Sequence, residues 1–360
     1  MNFIKALAVF LGTVIGAGIF GLPYVASKAG FFVVLGYFLL MGFIVIVFDL
    51  IYVQIILGTK QICRLPGYVG EYLGNKWEKF SFIVVSLGGI GALLAYLILM
   101  GQFFSSLTGF SVLLSTLLFF ILGSFLIFRG IKSISGIELC LLIILLVILG
   151  IFLFKAFPAI NLDNFKKIDL KHFILPYGVV LFSLGGASII PELKEMTKGK
   201  HIKKLIIAGV ILTMFIYLFF IYIVLGASPQ VSKDAISGMS SILPNIIKLG
   251  FIFGIITCFT SFITLGLTLQ KALWYDLGVS KNISWLLVCF IPLALFLSGI
   301  REFISVIGFT GAVALAIEGS LVVFLYRAFL KKNNKKMNPL YYSLILIFFI
   351  GMVLEIISIL

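Results

Sequence analysis

The parts of this sequence best suited to binding a ligand are two runs rich in glycine. Each run contains a proline or is followed by one. Positions 12–23 hold four glycines and Pro23, and the pair Gly185-Gly186 precedes Pro191. Glycine and proline both disfavour a continuous helix. An unwound stretch exposes N–H groups that attract an anion and carbonyls that attract a cation. A pair of such stretches therefore suits a zwitterion such as an amino acid.

For either run alone, the alternative to a binding site is close packing of the glycines against a neighbouring helix. Gly12 and Gly16, for example, have the spacing of a common helix-contact motif. In each run a glycine stands five residues before the proline, and the two runs lie about 170 residues apart. Paired interruptions at corresponding places in two halves of a chain indicate the substrate site of an inverted-repeat transporter.

Acidic side chains within or at the edge of apolar runs form a second group of candidates. A charge at the centre of a bilayer costs at least about 2.5–3.5 kcal/mol, so such residues are expected to have a function. There are five such acids. Two of them, Glu192 and Glu355, can reach a membrane interface. The remaining three are the candidates for proton coupling: Glu318, Glu138 and Asp49.

The composition sets the elements that must position these groups. Of 360 residues, 62% are hydrophobic and 11% are charged, whereas a soluble domain is about 45–50% apolar and about 25% charged. This excludes an ordinary soluble protein, a disordered chain and a disulfide scaffold. We expect an all-α membrane protein with about 11 transmembrane helices. The hydrophobic segments lie at roughly 3–27, 32–58, 80–107, 111–128, 134–157, 173–194, 204–226, 243–270, 282–299, 303–327 and 339–360.

The net charge of +14 has a topological interpretation. With a cytoplasmic N-terminus, nineteen of the 27 Lys and Arg residues fall in cytoplasmic loops, which agrees with the positive-inside rule. No basic stretch is long enough for a nucleic-acid-binding domain. We expect a multi-pass protein of the plasma membrane whose partners are lipid and a small molecule, with no nucleic acid and no obligate protein partner.

No motif supports an enzyme within the membrane. The sequence lacks H-E-x-x-H, an aspartate pair at catalytic spacing and a Ser/His arrangement. We expect no enzymatic activity and no cofactor, apart from a coupling ion.

The loop at 59–79 is the most structured connection that the sequence predicts. Its Pro66 favours the start of a short helix that lies at the membrane interface. Tyr68, Tyr72 and Trp77 are the expected aromatic anchors of that helix.

Four motifs carry a resemblance to a known family. The pattern G-x-x-I-G-x-G-I-x-x-L-P at 12–23 resembles the first helix of the amino acid/polyamine/organocation superfamily. LPGYVGEYLG at 65–74, GGIGALLAYLILMGQ at 88–102 and VLFSLGGASIIPEL at 180–193 resemble the amino acid/auxin permeases and the aromatic (tryptophan/tyrosine) amino acid permeases.

The resemblance implies a fold of five helices, an inverted five of the leucine-transporter type, and one extra helix at the C-terminus. The first repeat would occupy residues 1–157, with its first helix broken at 15–19. The second would occupy 173–330, with its first helix broken at 184–188, and the extra helix would follow at 339–360. Helices 1, 2, 6 and 7 would form a bundle that rocks against the others.

The resemblance also implies how an amino acid would bind. Its carboxylate would lie on the N–H groups of Ala17 and Gly18. Its ammonium would meet the carbonyls near Val14, Phe182 and Ser183.

Two side chains complete this implied site. Phe182 matches the gating aromatic of the sixth helix, and Tyr96 matches a third-helix tyrosine that can reach the substrate carboxylate. The implied substrate-binding residues are Val14, Gly16, Ala17, Gly18, Tyr96, Phe182, Ser183 and Gly185.

The coupling ion has two interpretations. Thr260 and Ser261 resemble the hydroxyl pair that binds sodium in the bacterial leucine transporter. In this chain, the resemblance implies that the other ligands would be the backbone carbonyls of Gly12, Ile15 and Thr257. The alternative for these hydroxyls is a bond to their own helix. A second sodium site is not expected, since Ile19 stands where the relative has an asparagine. The aromatic permeases are taken to be proton-coupled, which leaves sodium and proton both open.

The predicted function is secondary active transport of a neutral amino acid, aromatic or otherwise apolar. Coupling to sodium or protons would drive it, by alternating access as the bundle rocks. The alternative is a membrane receptor on the same fold, resembling a spore-germinant receptor, which senses an amino acid without net transport.

Overall fold

Helices make up the regular structure, because a segment in hydrocarbon must satisfy its backbone hydrogen bonds internally. A computed structural model describes residues 3–130, 135–228, 230–244 and 246–359. These residues form fifteen α-helices and no strand. The predicted all-α class is confirmed.

The first half of the described chain contains seven helices. They are α1 (Phe3–Val14), α2 (Gly18–Ala29), α3 (Phe31–Gly58), α4 (Leu65–Leu73), α5 (Asn75–Thr108), α6 (Val112–Arg129) and α7 (Ser135–Ala156).

The second half contains eight more, some of them joined by tighter or wider helical turns. They are α8 (Pro176–Leu184), α9 (Ile190–Thr197), α10 (Ile202–Ala227), α11 (Ile247–Lys271), α12 (Lys281–Leu297), α13 (Phe303–Phe309), α14 (Ala316–Lys332) and α15 (Tyr342–Ile359). A π-helical stretch, Thr310–Leu315, joins α13 to α14, and another, Ala272–Asp276, extends α11.

The number of spans is close to the expected one. Within the described residues, nine helical segments are long and apolar enough to cross a membrane, and α1 with α2 makes a tenth if this pair, bent by 56°, is one span. The predicted segment 282–299 forms α12, an apolar helix of 17 residues that is shorter than a typical span. The prediction of eleven spans is therefore not confirmed as an exact count.

Both predicted breaks are present, with boundaries shifted by one or two residues. The first covers 15–17, because Gly18 and Ile19 already belong to α2. The second covers 185–189, of which 187–189 form a single 3-10 turn. Gly18 begins α2, and Gly185 follows the last residue of α8. Pro23 lies inside α2, and Pro191 lies in the first turn of α9, where its missing N–H is not needed.

The short helix predicted at Pro66 is α4, with this proline in its first turn. One expected anchor was wrong: Tyr68 is fully buried and packs edge-on against Tyr52, with ring centroids 6.0 Å apart. Trp77 is about half exposed and remains compatible with a position at the membrane interface.

The core surrounds α5, whose residues from Leu93 to Met100 are all buried. Large apolar side chains on the peripheral helices are exposed instead, among them Phe43, Ile121, Phe154 and Phe215. Exposed apolar surface of this kind is suited to contact with lipid chains. The two breaks are positioned by the buried residues of the interior.

Candidate functional site

The two breaks lie against each other at the centre of the protein. A Cβ built on Gly18 would stand 2.8 Å from the Cα of Ser183, closer than carbon atoms pack. A Cβ on Gly186 would stand 2.7 Å from Cγ2 of Val14. Glycine at these positions therefore permits the approach of the two interrupted spans.

The first break leaves backbone donors unused. Among the described residues, the N–H groups of Ala17 and Gly18 donate no backbone hydrogen bond, and they point along the N-terminal end of α2. The N–H groups of Ala187 and Ser188 at the second break likewise have no backbone acceptor in the described chain. Both places can receive an anionic group.

The exposed carbonyls share a donor that the sequence did not reveal. The hydroxyl of Tyr217, on α10, lies 2.8 Å from the carbonyl oxygen of Val14 and 3.0 Å from that of Ser183, and donates to them. The phenol of Tyr217 has one hydrogen to share between the two carbonyls, whereas each carbonyl oxygen has two lone pairs. Each carbonyl can therefore still bind a cation. The signal was a hydroxyl within a mostly apolar span, which Thr213 and Tyr222 of the same helix share.

A central cavity of about 140 Å³ adjoins the breaks. Seven of the eight predicted substrate-binding residues line it; Ser183 does not, since its side chain donates to the carbonyl of Val179 at 2.7 Å. The seven are Val14, Gly16, Ala17, Gly18, Tyr96, Phe182 and Gly185.

The predicted tyrosine of the third helix reaches the first break from α5. A Cβ on Gly16 would stand 2.7 Å from the Tyr96 hydroxyl. The Ser261 Oγ would stand 3.1 Å from the same Cβ, so both hydroxyls lie against Gly16. Tyr96 is almost completely buried and lines the central cavity.

The predicted sodium ligands divide into two groups. The Ser261 hydroxyl donates to the carbonyl of Gly12 at 3.3 Å, which links α11 to α1. The Thr257 hydroxyl donates to Phe253, and the Thr260 hydroxyl to Ile256 and to the Thr257 carbonyl, so both threonines bond their own helix.

Ile15, whose carbonyl is the remaining predicted ligand, is buried directly after α1 ends. Over the described part of the chain, no three His, Cys, Asp or Glu side chains come together as a metal site. Any ion here would be bound by neutral oxygens.

The predicted acids have different surroundings. Asp49 and Glu318 both line the central cavity. Glu192 forms an ion pair of 3.0 Å with Arg64, and Glu355 is buried beside Gly308. The side chain of Glu138 lies outside the described residues.

One side of the cavity is closed by aromatic rings. We call the side of the membrane on which α1 begins the N-terminal side, and the other the far side. Towards the far side, the Phe20 ring contacts Phe103, Phe253 and Phe220, with centroids 5.1, 5.4 and 6.1 Å away. All four rings are buried, so they separate the breaks from the far side.

An ion pair between Lys233 and Glu302 adds a connection at the far surface, between the loop after α10 and the start of α13. The hydrogen bond to Glu302 raises the pKa of Lys233, so this lysine stays charged at neutral pH. Because both side chains are about half exposed, the pair contributes little to stability.

The central cavity extends instead towards the N-terminal side, where Arg64, Leu65 and Pro66 line it. Contacts at that end join α9 to the end of α3: the Lys194 ammonium donates to the carbonyls of Ile56, at 2.5 Å, and Thr59, at 3.3 Å. The cavity thus ends among polar contacts on one side and at packed rings on the other.

Comparisons with known proteins agree with this arrangement. A sequence profile of the Tryptophan/tyrosine permease family matches residues 1–358. No curated protein sequence matches the chain.

Solved structures share the fold. The structure of MhsT in complex with L-phenylalanine has a TM-score of 0.73 and 16% identity, covering 99% of this chain and 98% of that one. Mhp1, a nucleobase-cation-symport-1 family transporter with bromovinylhydantoin bound, has a TM-score of 0.67 and 12% identity, covering 99% and 90%. A mutant manganese transporter of Eremococcus coleocola has a TM-score of 0.64 and 12% identity, covering 99% and 85%. The fold is of the leucine-transporter type.

Proposed function

Because the chain belongs to the tryptophan/tyrosine permease family, we propose that it is a cation-coupled secondary transporter of a neutral amino acid with an aromatic or other apolar side chain. It is a multi-pass membrane protein and not an enzyme. The substrate class, the coupling ion and a cytoplasmic N-terminus are parts of the proposal.

The observation that carries the proposal is the contact between the two breaks. Free N–H groups of Ala17 and Gly18 suit a carboxylate, and the carbonyls of Val14 and Ser183 suit an ammonium group. Both charges of an amino acid would thereby be met without a charged side chain from the protein.

The rest of the cavity suits an apolar side chain. Its wall includes Val45, Phe48, Leu181, Phe182 and Leu315. An aromatic side chain buried there would gain from removing apolar area from water and from ring contacts. The neighbour MhsT, which has this fold, was crystallised with L-phenylalanine. This supports the aromatic assignment.

Coupling to one monovalent cation provides sufficient energy. A membrane potential of 100 mV acting on one charge supplies about 2.3 kcal/mol, which supports about 50-fold accumulation of substrate. The link between Ser261 and Gly12 supports a sodium position between α11 and α1. The cavity carboxyl groups support protons. Alternating access would follow from rocking of α1–α3 with α8–α10 against the other helices.

The test uses the purified full chain in proteoliposomes loaded with unlabelled phenylalanine or tryptophan. We expect saturable counterflow of labelled substrate, and net accumulation under an imposed sodium or proton gradient. Absence of counterflow for all twenty amino acids would refute transport. Saturable binding without counterflow would favour the sensing receptor instead.

A further inference from the structure

Asp49 is an unpaired carboxylate inside the membrane. It lies on α3, is completely inaccessible to the outside, and lines the central cavity. Neither of its carboxylate oxygens has a hydrogen-bond partner in the described residues. An ionised carboxylate without donors in an apolar interior is strongly unfavourable, so this group needs a ligand of positive charge.

Glu318 approaches the same cavity from the other repeat. It lies in the first turn of α14, directly after the π-helical stretch Thr310–Leu315, and lines the cavity. It lines the same cavity as Asp49, although 269 positions separate the two residues in the chain. The wall beside it includes Leu315, whose Cδ1 would stand 3.1 Å from a Cβ on Gly185. Glu318 therefore follows, by three residues, a side chain that packs against the second break.

The charged and titratable groups facing the pair do not neutralise it. From α3 itself there is Tyr52, which adjoins Tyr68 of α4. Arg64 also lines the cavity, and Glu192 of α9 forms an ion pair with it at 3.0 Å. Tyr96 faces the cavity from α5, and its hydroxyl lies against Gly16 of the first break.

Lys194 of α9 donates to backbone carbonyls at the end of α3. Tyr217 of α10 donates to the two breaks, Tyr177 of α8 to Phe348, and Tyr326 of α14 to Gln54. None of these bonds reaches the carboxyl groups of the pair.

We propose that Asp49 and Glu318 form a proton-binding pair that holds one exchangeable proton and couples its movement to the substrate. The inference rests on the proposed transport function and deepens it. A proton from water on one side of the membrane adds to a carboxylate oxygen, and the same O–H bond breaks when the cavity opens to the other side. No other co-reactant is needed.

The position of the pair explains why the proton and the substrate would be coupled. Two ionised carboxylates in the wall of this cavity would carry two negative charges into the space that the substrate carboxylate enters. One proton removes one of these charges and lowers the repulsion between the pair and that carboxylate. The protonated form therefore binds the amino acid more tightly, and the amino acid in turn favours proton uptake.

The experiment compares gradient-driven accumulation with exchange in the same proteoliposomes. The variants are Asp49→Asn and Glu318→Gln, and the matched control is Glu195→Gln, an exposed acid on α9. For one proton per substrate, a gradient of one pH unit supports about tenfold accumulation of labelled phenylalanine. We expect the inside-to-outside concentration ratio of labelled phenylalanine to reach this level in wild type and the control, and to fall to about one in either variant.

A pH dye enclosed in the wild-type vesicles provides a readout that needs no variant. Substrate added outside should carry protons inward and acidify the lumen in the absence of sodium. Accumulation by both variants under a pH gradient would overturn the proposal, as would wild-type accumulation without acidification. Absence of wild-type counterflow would instead refute the transport function itself. If the variants do not fold, the dye measurement decides alone.

Discussion

Substitution of Gly18 by alanine tests the contact between the two breaks. The added Cβ would stand 2.8 Å from the Cα of Ser183, and even closer to its Oγ. Carbon atoms pack at about 3.5–4.0 Å, so the breaks must separate by roughly 0.7–1.2 Å. The neighbouring atom is backbone and cannot rotate away.

Overpacking of this kind costs about 1–3 kcal/mol. The displaced N–H of Gly18 is also a proposed donor to the substrate carboxylate. If the cost falls on the closed site, each 1.4 kcal/mol weakens binding tenfold. We therefore expect Gly18→Ala to raise the Kd for phenylalanine about 5- to 140-fold.

The assay is equilibrium binding of labelled phenylalanine to detergent-purified protein, with thermal unfolding measured in parallel. Gly36→Ala is the matched control, since a Cβ on this exposed glycine of α3 would meet no atom within 4 Å. Its helix propensity should make it neutral or more stable by up to about 1 kcal/mol. Equal Kd values for Gly18→Ala, Gly36→Ala and wild type would refute the reasoning.

Two further variants, one single and one double, test the hydroxyl groups of Tyr217 and of Thr260 with Ser261. Tyr217→Phe leaves the carbonyls of Val14 and Ser183 without their donor, so we expect thermal unfolding to show destabilisation of about 1–3 kcal/mol. The control Tyr222→Phe, next to the far-side loop, should change the stability little. Equal effects of the two variants would contradict the hydrogen bonds from Tyr217 to the two breaks. If sodium is the coupling ion, the double variant Thr260→Ala with Ser261→Ala should abolish the stimulation of uptake by sodium, and the control Ser298→Ala should retain it. Unchanged stimulation in the double variant would place sodium elsewhere or leave coupling to protons.

The positions of the breaks could be predicted because their cause is local. Glycine and proline act on the few residues around them, so the runs before Pro23 and Pro191 indicate interruptions whatever the surroundings. The boundary at Gly18 could not be predicted as well. Whether a glycine ends one helix or starts the next depends on what it contacts, here the backbone of Ser183.

The contacts across the molecule could be anticipated only in part. The sequence indicated Asp49 and Glu318 singly, as acids in apolar runs, but their common cavity depends on how α3 and α14 pack. Tyr217 gave no signal beyond its place in an apolar span, because the value of its hydroxyl lies in two carbonyls brought to it by other helices. The burial of Tyr68 was missed for the same reason.

The contact between α8 and the π-helical stretch Thr310–Leu315 has a consequence for motion. Gly178 and Gly311 meet here through backbone, and a Cβ on Gly311 would stand 2.8 Å from the N–H nitrogen of Phe182. With no side chains between them, the two segments lack a deformable layer that would let one slide past the other. A tilt of α8 against the start of α14 must therefore pivot at this contact instead of sliding past it, so the surroundings of Glu318 change when the second break turns.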